Sequence, residues 1–195
     1  MGTPLGLYAH LVPAEGAAID VRSLVLVREA LGQVSALADA IFAVQGLGSY
    51  PIVIAGSEEQ RQAILPDVVT GKRIGAFGLT EPEAGSDVAS MRTTATRDGD
   101  GWILDGEKTL ISNVPIAHHH VVFANANPAA GRKGITAFLV ERGAEGLDLQ
   151  PIPMSAPHPI GRIVLRGCRV PDSARVGDVG RGFAIAMQTL DAFRI

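Results

Sequence analysis

Cysteine is almost missing from this 195-residue chain: Cys168 stands alone, so no disulfide can close within it. A lone thiol suits a reducing cytosol, and a cytoplasmic protein is the expectation. Nucleophilic use of Cys168 would require a histidine and an orienting carboxylate close in space, for which the sequence gives no support, so it is read as structural. Long apolar runs are missing too. No stretch of about eighteen consecutive apolar residues occurs, and no membrane span is expected. The first residues carry no basic region leading into an apolar one, so a secretory leader is not expected either. Strong charge is the third absence: the formal net charge is −3 and the basic residues are scattered, which leaves no nucleic-acid surface to expect.

What is present is apolar residues, 47% of the chain, and enough length for one or two domains with a substantial core. Residues 1–20 read as irregular, broken by Pro4, Pro13 and Gly16. Leu24, Val25, Val27 and Leu31 recur at helical spacing, and a second helical pattern runs from Val34 to Ala43. Pro51 to Gly56 reads as a further helical turn. Ser57 followed by Gln60 forms a capping-box pattern, and Ile64, Leu65 and Val68 give the third helix its apolar stripe before Gly71.

Past Gly71 short β-branched runs alternate with glycine-rich turns. Strands are expected near 76–80, 93–97, 102–105, 120–126, 135–141 and 162–166, with Asp98-Gly99-Asp100-Gly101 as a hairpin turn. Four prolines make 150–161 an irregular crossing segment. A last helix starts near Phe183, with Ala186, Met187, Leu190 and Phe193 on its apolar stripe. The fold class is therefore α+β: N-terminal helices over 1–71, a central antiparallel β-barrel or sandwich over 72–176, and the first helix of a C-terminal helical domain over 177–195.

The stretch from Gly75 to Asp87 carries the chemistry. Phe77 and Leu79 alternate with small residues as in a half-buried strand, and Thr80 opens a turn that proline and glycine keep irregular. Gly85 allows close backbone approach, and the amides and hydroxyls of Thr80, Gly85 and Ser86 can donate to phosphate or ring oxygens. Taken alone, these residues equally describe a polar loop capping a strand.

Other motifs follow in order: Gly106-Glu107-Lys108-Thr109-Leu110-Ile111-Ser112-Asn113, Lys133 to Val140, Cys168-Arg169-Val170-Pro171, Gly177 to Phe183, and Leu190-Asp191-Ala192-Phe193-Arg194. In that order they resemble the acyl-CoA dehydrogenase family, over roughly residues 23–195. The resemblance implies a flavin, FAD, across the β domain. Phe77, Leu79 and Thr80 match the strand meeting the ring edge, and Gly85 and Ser86 match the turn near the pyrophosphate and the bound thioester. Leu110, Ile111 and Ser112 match a segment that usually begins with an aromatic residue stacked on the ring and ends in a hydroxyl bonded to its reactive nitrogen. Here the hydroxyl is kept and the aromatic is replaced by Leu110.

Ser86, Asp191 and Arg194 match positions that meet the acyl-CoA; an ordinary surface ion pair is the alternative for the last two. The family's reaction abstracts a proton beside a thioester carbonyl while a hydride passes to the flavin. No catalytic base is identified: Phe193 stands where some members carry a glutamate, and in most the base lies in a later helical domain, so a fragment lacking it is expected. Implied partners are an acyl-CoA substrate, an electron-transfer flavoprotein as acceptor, and further copies of the chain or a paralogue. The alternative function is a non-catalytic interaction module docking through an exposed stripe of Phe183, Met187, Leu190 and Phe193. His118, His119 and His120 read as a turn entering a strand rather than a metal site, and Glu81 and Glu83 as solvated turn residues, with Glu81 helping to hold the loop.

Overall fold

A computed structural model describes residues 6–14 and 17–193. After a 3-10 turn at Leu7–Leu11 come three helices, α1 (Val21–Val34), α2 (Ala36–Ala55) and α3 (Glu58–Val69). The strands are β1 (Gly75–Gly78), β2 (Thr94–Asp98), β3 (Gly101–Ser112), β4 (His119–Asn125), β5 (Ile135–Glu141), β6 (Leu147–Pro151), β7 (Ile160–Pro171) and β8 (Arg175–Val176). Helix α4 (Gly182–Phe193) follows.

Local chemistry sets the helix starts. Asp20 caps α1 by accepting from the amides of Arg22 and Ser23, and Ser35 caps α2 through the amide of Ala38. The expected capping box opens α3: the Gln60 amide donates to the Ser57 hydroxyl while the Ser57 amide donates to the Gln60 side chain. Helix α2 runs longer than its pattern predicts, absorbing Pro51 and the turn after it into one helix of 20 residues. It is also the one described helix long and apolar enough to cross a membrane, a property that a search for unbroken apolar runs misses because Gln45, Gly46, Gly48 and Ser49 interrupt it.

In this fold α2 is a core helix. Gly46 and Gly48 explain how it packs so closely. A Cβ at Gly46 would lie 2.1 Å from the Phe193 ring on α4, and one at Gly48 would lie 2.4 Å from the backbone of Gly75 in β1. Gln45, buried beside them, donates to the Arg73 carbonyl and accepts from the Gly75 amide, so the helix also holds the start of β1.

The strands form one sheet in the order β6-β7-β3-β2-β4-β5-β8, with β1 paired to β4. The α+β class is as expected, but the pairing is mixed: β1 lies parallel to β4, and β2 touches β4 in parallel at Thr94 and Asn125. The β2–β3 hairpin turns at Gly99, whose φ of 58° suits the Asp-Gly signal. Strand β6 pairs with β7 although prolines follow it, and the irregular segment is confined to 152–159.

Alternation along β4 and β5 divides the core into two layers. Val122, Ala124, Phe138 and Val140 face Trp102, Leu104, Ile163 and Leu165 of β3 and β7. Val121, Phe123, Ile135 and Ala137 face the helices through Ile52, Ile64, Val68, Ile185 and Ala186. A third cluster joins Leu11, Leu24 and Phe42 to Ala192 and Phe193. Strands β1 and β4 are thus buried on both sides along their whole length.

Candidate functional site at the turn after β1 and the bulge in β3

Past β1, Leu79 stays buried and the Thr80 carbonyl accepts the Thr109 amide at 2.9 Å, fastening the turn to β3. Glu81 and Ala84 exchange backbone hydrogen bonds, and Ala84 is sunk into the helix-side core with Phe77, Leu79 and Met91. The Glu81 side chain turns inward. Its Oε1 accepts from Lys108 Nζ at 2.6 Å and from the Thr93 amide at 3.0 Å, and its Oε2 accepts from the Arg92 amide at 2.6 Å. Lys108, with no exposed surface, also donates to the Leu79 carbonyl at 3.3 Å.

Burial pushes the Lys108 ammonium down to about 8, opposed by the attraction of Glu81. Burial pushes the Glu81 carboxyl up, but Lys108 and the hydrogen bonds together outweigh it and hold the group below its ordinary value. Glu81 is therefore an anchor under the turn rather than the solvated residue expected from sequence, although it does hold the loop. Glu83 is exposed.

Gly85 and Ser86 lie exposed beyond this anchor. Neither φ nor space requires a glycine at 85, since a Cβ there would meet nothing within 4 Å. Among the described residues, the amides of Gly85 and Ser86 and the hydroxyls of Thr80 and Ser86 have no hydrogen-bond partner.

The neighbouring edge of β3 is irregular in a specific way. Between Lys108 and Ile111 its register with β7 shifts, and Leu110 takes a left-handed φ of 55° with 60% of its surface exposed. A branched apolar residue in that conformation costs about 1 to 2 kcal/mol, and such strain concentrates at functional sites. Ile111 returns to the core, Ser112 is half-buried, and Asn113 is again left-handed at 67°. The Ser112 hydroxyl already has a partner, His158 Nε2 at 2.8 Å.

The other expected residues divide between core and surface. Phe77 and Leu79 are buried, with their side chains in the helix-side core. Asp191 is exposed on α4, and Arg194 lies outside the described residues. The expected exposed stripe of α4 is only partly exposed: Phe183, Met187 and Leu190 are half-buried against the helix-side core, and Phe193 is buried edge-on to Tyr50 at 5.4 Å.

Sequence reasoning passed over Lys108 and His158. Strand alternation gives no sign that Lys108 is buried, whereas the bracketing of His158 by Pro157 and Pro159 was a signal in plain view.

The histidine triplet is structural. Within the buried pair, His119 accepts from Arg73 Nε at 3.2 Å and its Nε2 lies 3.2 Å from the Gly48 carbonyl. Burial lowers His119 to about 3 and His120 to about 4, so both rings are neutral.

A cleft of about 1000 Å³ lies elsewhere, between Val12–Ala14 and the facing sides of α2 and α3. None of the residues of the 80–86 turn or the 110–112 bulge lines it. Strain, an exposed apolar side chain and uncommitted donors coincide instead at the rim made by residues 80–86 and 110–112, and we place the candidate site there.

Comparison with known proteins gives the same direction. Residues 2–72 match the acyl-CoA dehydrogenase N-terminal domain and residues 76–168 the acyl-CoA dehydrogenase middle domain. The human mitochondrial short-chain specific acyl-CoA dehydrogenase is 39% identical over 98% of this chain and 48% of its own length. The caffeyl-CoA reductase-Etf complex subunit CarC of Acetobacterium woodii is 35% identical over 97% of this chain and 52% of its own. The solved structure of PigA with FAD and proline superposes with a TM-score of 0.88 at 33% identity, covering 96% of this chain and 52% of that one. The chain thus spans about half the length of the curated relatives it matches.

Proposed function

The chain belongs to the acyl-CoA dehydrogenase family, and from that premise we propose that it seats FAD along the 80–86 and 110–112 rim for α,β-dehydrogenation of an acyl-CoA thioester. The observation that carries this reading is the strained, exposed Leu110 beside the half-buried hydroxyl of Ser112, set against a turn with unpartnered donors. Bound FAD supplies the acceptor for the hydride.

The chain's own residues would bind and orient it. The amides of Gly85 and Ser86, with the Ser86 hydroxyl, satisfy anionic oxygens that would otherwise lose water unpaired. Leu110 covers the ring with apolar surface and excludes water, and the Ser112 hydroxyl offers it a polar contact. Thr80, in the turn after β1, would meet the ring edge, while Asp191 would contact the acyl-CoA.

Glu81, already bonded to three donors, does not serve as the base, and the hydrocarbon side chain of Phe193 has no atom that could. In this proposal the base comes from a part of the family's fold beyond the matched half. An electron-transfer flavoprotein as acceptor, assembly with further copies of the chain, and a cytoplasmic location are parts of the same proposal. The first draws support from the Etf complex in the CarC relative, the last from the single buried thiol of Cys168.

The test is reconstitution. Protein mixed with excess FAD and freed of unbound flavin is expected to keep visible flavin absorbance and a raised melting temperature. Colourless protein with an unchanged melting temperature refutes the proposal.

A further inference from the structure

Ser112 and His158 meet from two segments that are separately fixed. The Ser112 end of β3 is held by its register with Ile160 of β7. On the other side His158 sits between Pro157 and Pro159, whose rings fix φ and narrow the backbone choices of the residue preceding each. Its own amide donates to the Ala156 carbonyl at 2.8 Å. The Asn113 amide donates to the Pro159 carbonyl and the Ile152 amide to the Ile160 carbonyl, so the crossing segment is fastened at both ends of its approach to Ser112. The imidazole is therefore delivered to the serine hydroxyl by a stiff segment, not by a loop that happens to touch it.

A hydroxyl has one proton to donate and lone pairs to accept with. If Nε2 carries a proton, it donates to Ser112 Oγ, and the serine proton is left to point at another acceptor. If Nε2 is bare, the serine proton is taken up by the ring. We propose that His158 is a positioning residue that donates through Nε2 to Ser112 and thereby aims the serine proton at the bound flavin. This rests on the flavin reading of the rim given above. A donor aimed at the ring favours its reduced form, in which electron density there is greater.

The experiment measures the midpoint potential and visible spectrum of FAD bound to the chain and to variants at 112 and 158. Ser112→Ala, which removes the donor, is expected to lower the preference for reduced flavin about tenfold, a shift of about 30 mV for two electrons. His158→Phe is expected to move the potential in the same direction. Combined with Ser112→Ala it should add nothing, because both act through one proton. His158→Gln, whose side-chain amide donates where Nε2 does, is expected to restore the wild-type potential. His158→Ala, which brings no new atoms into the segment, serves as a second loss variant with the same expected shift, and circular dichroism checks that each variant folds.

A flavin-loaded wild type whose potential does not move in any position-158 loss variant overturns the inference and leaves the flavin reading intact. Failure of His158→Gln to restore a potential that the loss variants shift also overturns it, since a merely structural tether would behave so. A wild type that takes up no flavin removes both readings at once.

Discussion

Two ends of one short stretch of β3 are built on opposite plans. At Lys108 the side chain is fully buried and its charge is matched, with Glu81 bonded to the ammonium and to two backbone amides. Two residues on, at Leu110, the chain is left-handed, bulged out of register with β7 and exposed. The contrast teaches where this molecule keeps its stability and where it tolerates strain. A strained rim persists only if what lies beneath is over-determined, and the ion pair supplies that by tying the turn, the 92–93 backbone and β3 together.

The largest effect is expected from breaking the buried end. Lys108→Met leaves the Glu81 carboxylate in the core without its cation, and we expect a loss of about 3 to 5 kcal/mol in urea unfolding. Replacing both partners with apolar residues should cost less than this single change, because no charge is then stranded. A single variant as stable as wild type would show that the pair does not hold the rim.

Acid attacks the same foundation from β4. His119 and His120 are held neutral by burial, at about 3 and about 4, against an unfolded value of about 6.5. Between these values the unfolded chain binds protons that the folded chain refuses. Stability is therefore intact above about pH 7 and falls as the pH drops. By pH 5 each ring should cost about 2 kcal/mol, read as a lower urea midpoint than at pH 7. His119→Gln is expected to flatten this dependence by roughly half.

The same contrast governs what could be read from the sequence. Features enforced by neighbours in the chain were legible: the Ser57 and Gln60 capping box, the Asp98 to Gly101 hairpin and the β5 strand all stand where local chemistry puts them. Features enforced across the fold were not. Lys108 sits between Glu107 and Thr109 in a pattern that looks solvent-facing, and only the packing of the 80–93 loop over it makes it a core residue. Helix α2 runs through Pro51 because β1 and α4 pack onto its glycines, which overrides the break that proline signals. At the rim, family likeness picked out 110–112, but the strain at Leu110 has no local sequence cause, and the prolines flanking His158 mark a stiff segment without showing that it meets Ser112.

The exposed end can be sharpened by relieving it. Leu110→Gly removes the steric cost of the left-handed φ and adds glycine's extra chain entropy, so the net change in stability should fall within about 1 kcal/mol of zero. Flavin retention should still drop, because the apolar cover is gone. Stability and binding then part company, whereas at Lys108 they would fall together. Equal loss of both in Leu110→Gly would mean that the bulge belongs to the core design.

Gly85→Ala gives the smallest structural change and the most direct reading. The position has no positive φ to satisfy and open space around the new methyl, so unfolding stability should stay within about 0.5 kcal/mol of wild type. If the space at Gly85 serves only solvent, the variant should also bind FAD normally. If the turn lies against the cofactor's phosphates, the methyl intrudes only when ligand is present, and affinity for FAD should fall severalfold in a titration. A glycine that the folded chain does not need, yet whose loss weakens ligand binding, marks the side of the turn that faces the ligand.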